Sequence, residues 1–448
     1  MFADLRPYPR TSHSSIPWAP ELPDHWTVQR GKALFTRVER QPSDDDGVVT
    51  CFRDGIVTLR SRRRTTGFTE SLKEIGYQGI RRGDLVIHAM DAFAGAAGVS
   101  DSDGKGTPVY SVCVPRGSAS PHYYAAVVRE MARSSWIQAL SRGVRERSTD
   151  FRFEMFATQP LPVPPDVEQA EIVKYLAHAN ARIDKAVGAK RRLIALLDEQ
   201  KRSAIAQTMG AVSEGRRELR HILRQLVDCE HKTAPVVEGI DWWILRTSSV
   251  KEGEIRWDGA YTTDESSYRE WTSRAVPEPG DVIFTREAPV GEAAVIPEGR
   301  PVALGQRTVL MKLRRDVMDP QFLVYQIYGG LPRERILLAT QGSTVGHFNM
   351  DDIAWMQIAV PPLDDQRALV ARIDEISARA NAVITRKSRE IELLQEFRAR
   401  LVADVVTGRV DVREIANDLS DIALDARIVD VADVDNLTMD EVLKASEV

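Results

Sequence analysis

The chain has 448 residues, 43% of them apolar and 28% charged, with a formal net charge of −5. This length predicts two or more domains, because one hydrophobic core seldom serves so long a chain. No apolar run reaches the length of a membrane span and the N-terminus lacks the apolar core of a signal peptide, so we expect a cytoplasmic protein.

Residues 1–163 are predicted to form a first mixed α/β domain. Within it, RRGDLVIHAMDAFAGAAGV places Gly83-Asp84 at a turn into a buried strand. Two basic loops, TLRSRRRTTGF and SRGVRERSTDFRF, carry guanidinium groups that can hold phosphates or pair with guanine. The candidate DNA-binding residues here are Arg60, Arg62, Arg63, Arg64, Arg142, Arg145, Arg147 and Ser148. Salt bridging of the arginine cluster to Asp44, Asp45 and Asp46 is the alternative.

Residues 164–212 are predicted to form a long helix that begins after Pro164-Pro165. Asp166 and Gln169 resemble a capping box. Apolar residues spaced three, four and seven apart predict a coiled-coil seam, and the helix could extend roughly 60 Å. The seam residues are Ile172, Leu176, Ile183, Val187, Ile194 and Leu197.

Residues 213–360 repeat the first domain at an offset of 197 residues, so that PEPGDVIFTREAPVGEAAVI carries a second Gly-Asp pair at Gly280-Asp281. Its polar loops supply side chains that suit phosphates, guanine or adenine. The candidate DNA-binding residues are His231, Lys232, Thr233, Arg246, Ser248, Lys251, Arg286, Gln341, Ser343, Thr344, His347 and Asn349. For each residue in either domain, an ordinary solvated surface is the alternative.

Residues 361–410 repeat the helix after Pro361-Pro362. The second seam comprises Leu369, Ile373, Ile384, Ile391, Leu394 and Leu401. Seams of this kind also serve simple packing or a homodimer, but the duplication here includes the globular domains as well as the helices. Residues 411–448 hold eleven acidic side chains against three basic ones, which predicts a disordered or partner-docking tail.

Motifs for catalysis and for metal binding are missing from the sequence. It contains no phosphate-binding GxxxxGK[ST] loop, no GxSxG elbow and no HExxH pair, and its three cysteines form no CxxC pair. Asp166, Glu199 and Lys201 resemble a nuclease pattern, but they fall on a predicted helix instead of converging from a sheet. We therefore predict no catalytic residues, no metal and no cofactor in this chain.

The duplicated domains, seams and basic loops resemble the specificity subunit of type I restriction-modification enzymes. The segments that carry the resemblance are ELPDHWTVQRGKALF, CEHKTAP, PGDVIFTREAPVGEAAVI and, most specifically, GSTVGHFNMDDIAWMQIAVPPLDDQ. The resemblance implies two mixed α/β target-recognition domains separated by two long antiparallel coiled-coil helices, related by a pseudo-twofold internal repeat.

The resemblance also implies the function. Each domain would read one half of a split site in double-stranded DNA, and the helices would set the spacer. Partners would be two methyltransferase subunits, which bind S-adenosylmethionine, and ATP-driven motor-endonuclease subunits, with no membrane contact. A coiled-coil adaptor without sequence-specific DNA binding is the alternative from another class, and a nuclease is the third.

Overall fold

The structure, a computed structural model, describes residues 5–63, 75–140, 150–239, 241–341 and 347–420, with the backbone alone at residues 339–341. The chain divides into two compact units. Unit 1 comprises residues 1–190 and 389–448, and unit 2 comprises residues 191–388. Both divisions fall within a long helix, so each unit contains one globular domain and a segment of each long helix.

The first globular domain precedes the first long helix. Its strands are β1 Thr11–Ile16, β2 Ala19–Pro23, β3 Thr27–Arg30, β4 Phe35–Arg37, β5 Val49–Cys51, β6 Val57–Leu59, β7 Gln78–Ile80, β8 Leu85–His88, β9 Ala97–Val99, β10 Gly104–Gly106, β11 Tyr110–Pro115 and β12 Pro160–Val163. Its helices are α1 Gly31–Leu34, α2 Pro121–Arg133, α3 Trp136–Leu140 and α4 Phe153–Thr158, with 3-10 turns at Arg60–Arg62 and Ala92–Ala94. The long helix α5 Asp166–Gly210 follows.

The second globular domain lies between the long helices. Its strands are β13 Arg217–Glu218, β14 Leu223–Asp228, β15 Trp242–Leu245, β16 Val250–Lys251, β17 Glu254–Ile255, β18 Tyr261–Thr263, β19 Val282–Thr285, β20 Ala293–Val295, β21 Val302–Leu304, β22 Thr308–Leu313 and β23 Gln357–Ile358. Its helices are α6 Glu265–Trp271, α7 Pro320–Gly329, α8 Leu331–Gln341 and α9 Met350–Ala354, with 3-10 turns at Leu219–Ile222, Thr247–Ser249 and Trp257–Gly259. The long helix α10 Leu363–Val406 and the short α11 Arg413–Asn417 complete the described chain.

The two domains share one sheet topology. Unit 1 has an antiparallel four-stranded sheet in the order β4-β11-β8-β9, and unit 2 has the order β14-β22-β19-β20 with the same antiparallel pairings. A short strand before each long helix also pairs with an early strand, β12 with β3 and β23 with β13. The predicted internal repeat of mixed α/β domains is confirmed.

The repeated Gly-Asp pair forms the predicted turn in both units. Gly83 and Gly280 have φ values of +90° and +85°, a region that favours glycine. The next residue's carboxylate closes each turn, because Asp84 Oδ2 accepts from the Arg81 N–H at 2.7 Å and Asp281 Oδ2 accepts from the Glu278 N–H at 2.9 Å. The strands that follow, β8 and β19, are almost entirely buried.

Where the units differ, smaller sheets are added to this shared frame. Unit 1 carries the strand pairs β5-β6 and β7-β10. Unit 2 instead has a sheet in which β15 lies between antiparallel β18 and parallel β21. Among the described residues, the loops that these additions position therefore differ between the two units.

Within each unit the segments of the long helices run antiparallel. In unit 1, Asp184 pairs with Arg398, and Lys190 Nζ lies 2.6 Å from Glu390 Oε2. In unit 2, Lys201 Nζ donates to Asn381 Oδ1 at 2.8 Å, and Met209 shares a hydrophobic cluster with Ile373. All twelve predicted seam residues are buried or half-buried, so the seam is covered within the chain itself.

The start of α5 differs in detail from the predicted capping box. The Gln169 side chain does not cap its own helix, because Nε2 donates to the Pro164 carbonyl at 2.9 Å and Oε1 accepts from the Ser120 N–H at 2.9 Å. The amide thus fastens the helix to the globular domain, a partner that local sequence does not indicate.

The first residues of the predicted acidic tail are folded in unit 1. The Asp411 N–H donates to the Arg6 carbonyl at 2.8 Å, and Val412 and Ala416 are buried. His178 Nε2 lies 2.7 Å from the Ser420 carbonyl oxygen. The segment 411–420 therefore packs against other parts of unit 1, and residues 421–448 lie outside the described residues.

Candidate nucleic-acid interface

Loops from several elements of unit 2 meet at one end of its four-stranded sheet. β14 ends there at Asp228, and Thr285 at the end of β19 pairs with Thr308 at the start of β22. β15 and β21 end beside them, since the Gly305 N–H donates to the Leu245 carbonyl at 2.8 Å. We call this surface the loop end of unit 2; it comprises residues 228–233, 246–248, 286–287, 305–307 and 347–349.

Arg286 is the buried centre of the loop end, with a side chain only 10% exposed. Nη1 donates to Asp228 Oδ1 at 2.6 Å and Nε donates to the Phe348 carbonyl at 3.0 Å. The Phe348 N–H donates back to the Arg286 carbonyl at 3.2 Å. The guanidinium therefore joins the end of β14 to the segment entering α9. These contacts give Arg286 a positioning role within the loop end, and its direct contact with DNA stays a prediction.

Exposed basic side chains surround Arg286, each beside a carboxylate. His347 Nδ1 lies 2.7 Å from Glu287 Oε1, and Arg307 Nε lies 3.3 Å from Glu287 Oε2. His231 Nε2 lies 3.4 Å from Asp228 Oδ2. These three basic side chains are 50–70% exposed, so DNA phosphates or bases can reach them.

Arg246 and Ser248 converge on one carbonyl oxygen at the edge of the loop end. Arg246 Nε and Nη2 donate to the Gly259 carbonyl at 3.1 and 2.9 Å, and Ser248 Oγ donates to it at 3.1 Å. The Arg246 guanidinium also lies over the Tyr261 ring, 5.2 Å from its centroid. Both side chains are exposed but held in place, as a preorganised contact requires.

The other candidates of unit 2 have varied placements. Lys232 and Thr233 are exposed on the loop end, with Lys232 Nζ 3.5 Å from Glu270 Oε1. Asn349 is the N-cap of α9, where its Oδ1 accepts from the Asp352 N–H at 2.8 Å, so its side chain has a structural task. Lys251 is exposed in β16, which pairs with β17. The side chain of Gln341, and all of Ser343 and Thr344, lie outside the described residues.

In unit 1 the arginine cluster is partly engaged in ion pairs. Arg62 Nη1 donates to Ser102 Oγ at 3.0 Å and lies 3.5 Å from Asp101 Oδ2. Arg63 forms a bidentate pair with Asp54, and its guanidinium lies 4.4 Å from the centre of the Phe52 ring. The carboxylates that pair with these two arginines are Asp101 and Asp54, whereas the predicted alternative was pairing with Asp44, Asp45 and Asp46. Asp46 lies instead 3.3 Å from Arg81.

The remaining candidates of unit 1 are only partly described. Arg60 is half-buried, with Nε donating to Thr50 Oγ1 at 3.2 Å. Arg64, Arg142, Arg145, Arg147 and Ser148 lie outside the described residues.

Two titratable groups near the carboxyl end of β8 have shifted pKa values. Burial lowers the pKa of His88, an effect that nearby Asp91 partly offsets. His88 Nδ1 accepts from the Asp91 N–H at 3.1 Å, so the neutral ring carries its proton on Nε2. Burial alone would raise the pKa of Asp54, but hydrogen bonds from Arg63 and the Ile56 N–H lower it overall. The Asp54 carboxylate is therefore charged at neutral pH.

Sequence reasoning missed three polar residues in or beside the loop end of unit 2. Arg274 Nη2 lies 3.2 Å from Glu230 Oε1, and Gln306 Nε2 donates to the His231 carbonyl at 3.0 Å. The third, Arg307, stands in GQRTVLMKLR, which aligns with TPVYSVCVPR of the first domain so that Gln306-Arg307 are opposite Pro108-Val109. This difference between the repeats is the sequence signal from which Gln306 and Arg307 could have been predicted.

Within the described ranges, no three His, Cys, Asp or Glu side chains gather in an arrangement that could hold a metal ion. Over the same residues, no helix combines the length and the apolar character needed to cross a membrane. Asp166 and Glu199 of the nuclease-like pattern lie 33 residues apart on one helix, whereas a metal site needs carboxylates that converge.

The family model and the known proteins that this chain resembles all describe type I specificity subunits or their domains. Residues 251–393 match the family described as "Type I restriction modification DNA specificity domain". The chain is 19% identical over 437 residues to the "Putative type I restriction enzyme MjaX specificity subunit" of Methanocaldococcus jannaschii, covering 88% of this chain and 95% of that one. It is 26% identical to the type I restriction enzyme EcoBI specificity subunit of Escherichia coli over 110 residues, about a quarter of each chain.

A solved structure shares the fold. It belongs to a study of complex assembly and conformational transition in a type I R-M system, with a TM-score of 0.63 and 16% identity over 86% of this chain and 98% of that one.

Proposed function

We propose that this chain, which belongs to the specificity subunits of type I restriction-modification enzymes, recognises a bipartite DNA sequence and catalyses no reaction itself. Each globular domain would read one half of the site. The long helices would set the number of unspecified base pairs between the halves.

One observation carries this proposal: the two units share a backbone frame but differ in the side chains displayed on it. In unit 1 the Ala89 N–H donates to the Val109 carbonyl at 3.1 Å, and in unit 2 the Arg286 N–H donates to the Arg307 carbonyl at 2.8 Å. The Phe151 N–H donates to the Ala89 carbonyl at 3.0 Å, as Phe348 does to Arg286. Equal frames with unlike side chains suit two half-sites of unlike sequence.

Exposed apolar side chains on the long helices support docking of partner subunits. In unit 1, Leu393 and Phe397 of α10 are 49% and 38% exposed. In unit 2, Leu193 and Leu196 of α5 and Val383 of α10 are 38–40% exposed. We assign these faces to two methyltransferase subunits, which would bind S-adenosylmethionine and flip an adenine out of the duplex. Motor-endonuclease subunits that use ATP would complete the restriction complex.

Genome-wide methylation mapping tests the proposal. The full chain is expressed with its methyltransferase subunit in a host that lacks adenine methylation, and methylated adenines are located by long-read sequencing. We expect one motif with two specified halves and a spacer of constant length, and no methylation when the chain is omitted. Methylation without a motif would favour a coiled-coil adaptor, and a continuous motif would contradict the division of labour between the domains.

The absence of catalysis has a separate test. Purified chain is incubated with supercoiled plasmid and Mg²⁺ or Mn²⁺, and we expect the plasmid to remain intact. Cleavage that disappears in the Glu199→Gln variant would restore the nuclease alternative.

A further inference from the structure

We propose that Arg307 is a specificity-determining residue of unit 2 and that it contacts a guanine in the half-site read by this unit. The inference rests on the proposed function, because it assumes that unit 2 reads DNA. It adds a named residue, a base and a groove to that function.

The internal repeat shows that the fold does not require arginine at this position. Thr308 pairs with Thr285 across β22 and β19, as Tyr110 pairs with His88 across β11 and β8. The preceding residues, Arg307 and Val109, accept the same backbone hydrogen bond in the two units. A valine serves this position in unit 1, so the long charged side chain in unit 2 needs another explanation.

The backbone of Arg307 gives a second, independent indication. Its φ is +66°, in the left-handed region where a residue with a Cβ is strained and glycine or asparagine is favoured. Hydrogen bonds hold the turn on both sides, from the Arg286 N–H to the Arg307 carbonyl and from Thr308 Oγ1 to the Gly305 carbonyl at 2.7 Å. Strained residues that persist in this way concentrate at binding and catalytic sites.

The surroundings of the side chain fit base reading better than structural pairing. The Arg307 side chain is 55% exposed, and its Nε lies 3.3 Å from Glu287 Oε2. Glu287 is shared with His347, so it orients the arginine without enclosing it. A contact through Nε leaves the two terminal nitrogens of the guanidinium available to a base, and this bidentate donor pair suits O6 and N7 of guanine in the major groove.

Two variants of Arg307 and one matched control test the inference. Arg307→Lys keeps the positive charge but loses the planar guanidinium that can donate two parallel hydrogen bonds. Arg307→Gly removes the side chain and suits the left-handed φ. Arg314→Ala is the control, because Arg314 follows the other end of the same strand, is 49% exposed and lies 3.5 Å from Asp316 Oδ2. Each full-length chain is expressed with the methyltransferase subunit, and methylated motifs are mapped.

We expect both Arg307 variants to lose discrimination at one G·C pair in one half-site by about 5- to 150-fold. The other half-site should stay as in the wild type, and Arg314→Ala should keep the whole motif. We also expect Arg307→Gly to melt no lower than the wild type.

Three results would overturn the inference. An unchanged motif in both variants would remove Arg307 from base reading. A uniform loss of methylation at all sites, in a chain that still folds and binds its partner, would assign Arg307 to a phosphate. A wild-type chain that gives no bipartite motif would overturn the proposed function together with this inference.

Discussion

Gln169 and Gln366 make equivalent hydrogen bonds at the starts of the two long helices. Oε1 of Gln169 accepts from the N–H of Ser120, the N-cap of α2, and Oε1 of Gln366 accepts from the N–H of Asp319, the N-cap of α7, both at 2.9 Å. Nε2 donates to the Pro164 carbonyl in one unit and to the Pro361 carbonyl in the other, at 2.9 and 2.8 Å. Each buried amide thus fixes the angle at which a long helix leaves its globular domain.

Removing either amide should destabilise its own unit. Gln169→Ala and Gln366→Ala each leave a half-buried backbone N–H and a buried carbonyl without that partner, which costs about 1–3 kcal/mol. The measurement is the urea midpoint of each unfolding transition. Gln395→Ala and Gln200→Ala, exposed positions on the same helices in units 1 and 2, are the matched controls and should change stability by less than about 0.5 kcal/mol. Equal effects at buried and exposed positions would contradict the proposed clamp.

The regular parts of this fold were predictable because periodicity and repetition are local or directly visible. The seams, the two Gly-Asp turns and the duplication all follow from residue spacing. The task of Gln169 was misassigned because its partner, Ser120, lies 49 residues earlier in the chain. The ion pair of Arg286 was missed for the same reason, since its partner Asp228 is 58 residues away. A basic residue in a polar loop gives no local sign that tertiary contacts will enclose it.

Glu168 and Asp365 occupy equivalent positions in the two helix starts but should respond differently to substitution. The Glu168 carboxylate is 4% exposed and accepts from Tyr8 Oη at 2.5 Å and Trp26 Nε1 at 2.8 Å. Asp365 is exposed. We expect Glu168→Ala to lower the free energy of unfolding of unit 1 by roughly 2–4 kcal/mol, because two buried donors lose a charged acceptor. Asp365→Ala should be nearly neutral in unit 2, and a comparable loss there would show that the burial difference is unimportant.

Arg286 and Asp228 form an ion pair, with side chains 10% and 22% exposed, whose removal should be non-additive. Arg286→Ala leaves the Asp228 carboxylate without its main partner and should destabilise unit 2 by about 3–5 kcal/mol. The double variant Arg286→Ala with Asp228→Ala should be less destabilised than Arg286→Ala alone, because no uncompensated charge remains. Denaturation of both single variants and the double variant measures the coupling energy. An Arg286→Ala chain with unchanged stability and an altered DNA motif would instead favour a direct DNA contact for Arg286.

Exchange of one domain should change one half of the methylated motif. Replacing residues 31–159 with the corresponding segment of another specificity subunit leaves the β3–β12 pair and both long helices in place. Under the proposed function, the half-site read by unit 1 should change completely while the other half and the spacer remain. Methylation mapping measures all three at once. Changes in both halves would show that the domains do not read independently.

Deleting a matched heptad from both long helices tests whether they set the spacer. Residues 188–194 and 388–394 correspond in the antiparallel register given by the Asp184–Arg398 ion pair and the Lys201–Asn381 hydrogen bond, so their joint removal keeps the seam aligned. Seven residues shorten a helix by about 10 Å, which corresponds to roughly three base pairs of B-DNA. We therefore expect the wild-type spacer to be lost, with methylation shifted to a shorter spacer or abolished. Deleting only 188–194 is the control, since it misaligns the seam and should lower stability as well. A folded double-deletion chain that methylates sites with the wild-type spacer would show that the helices do not measure the distance.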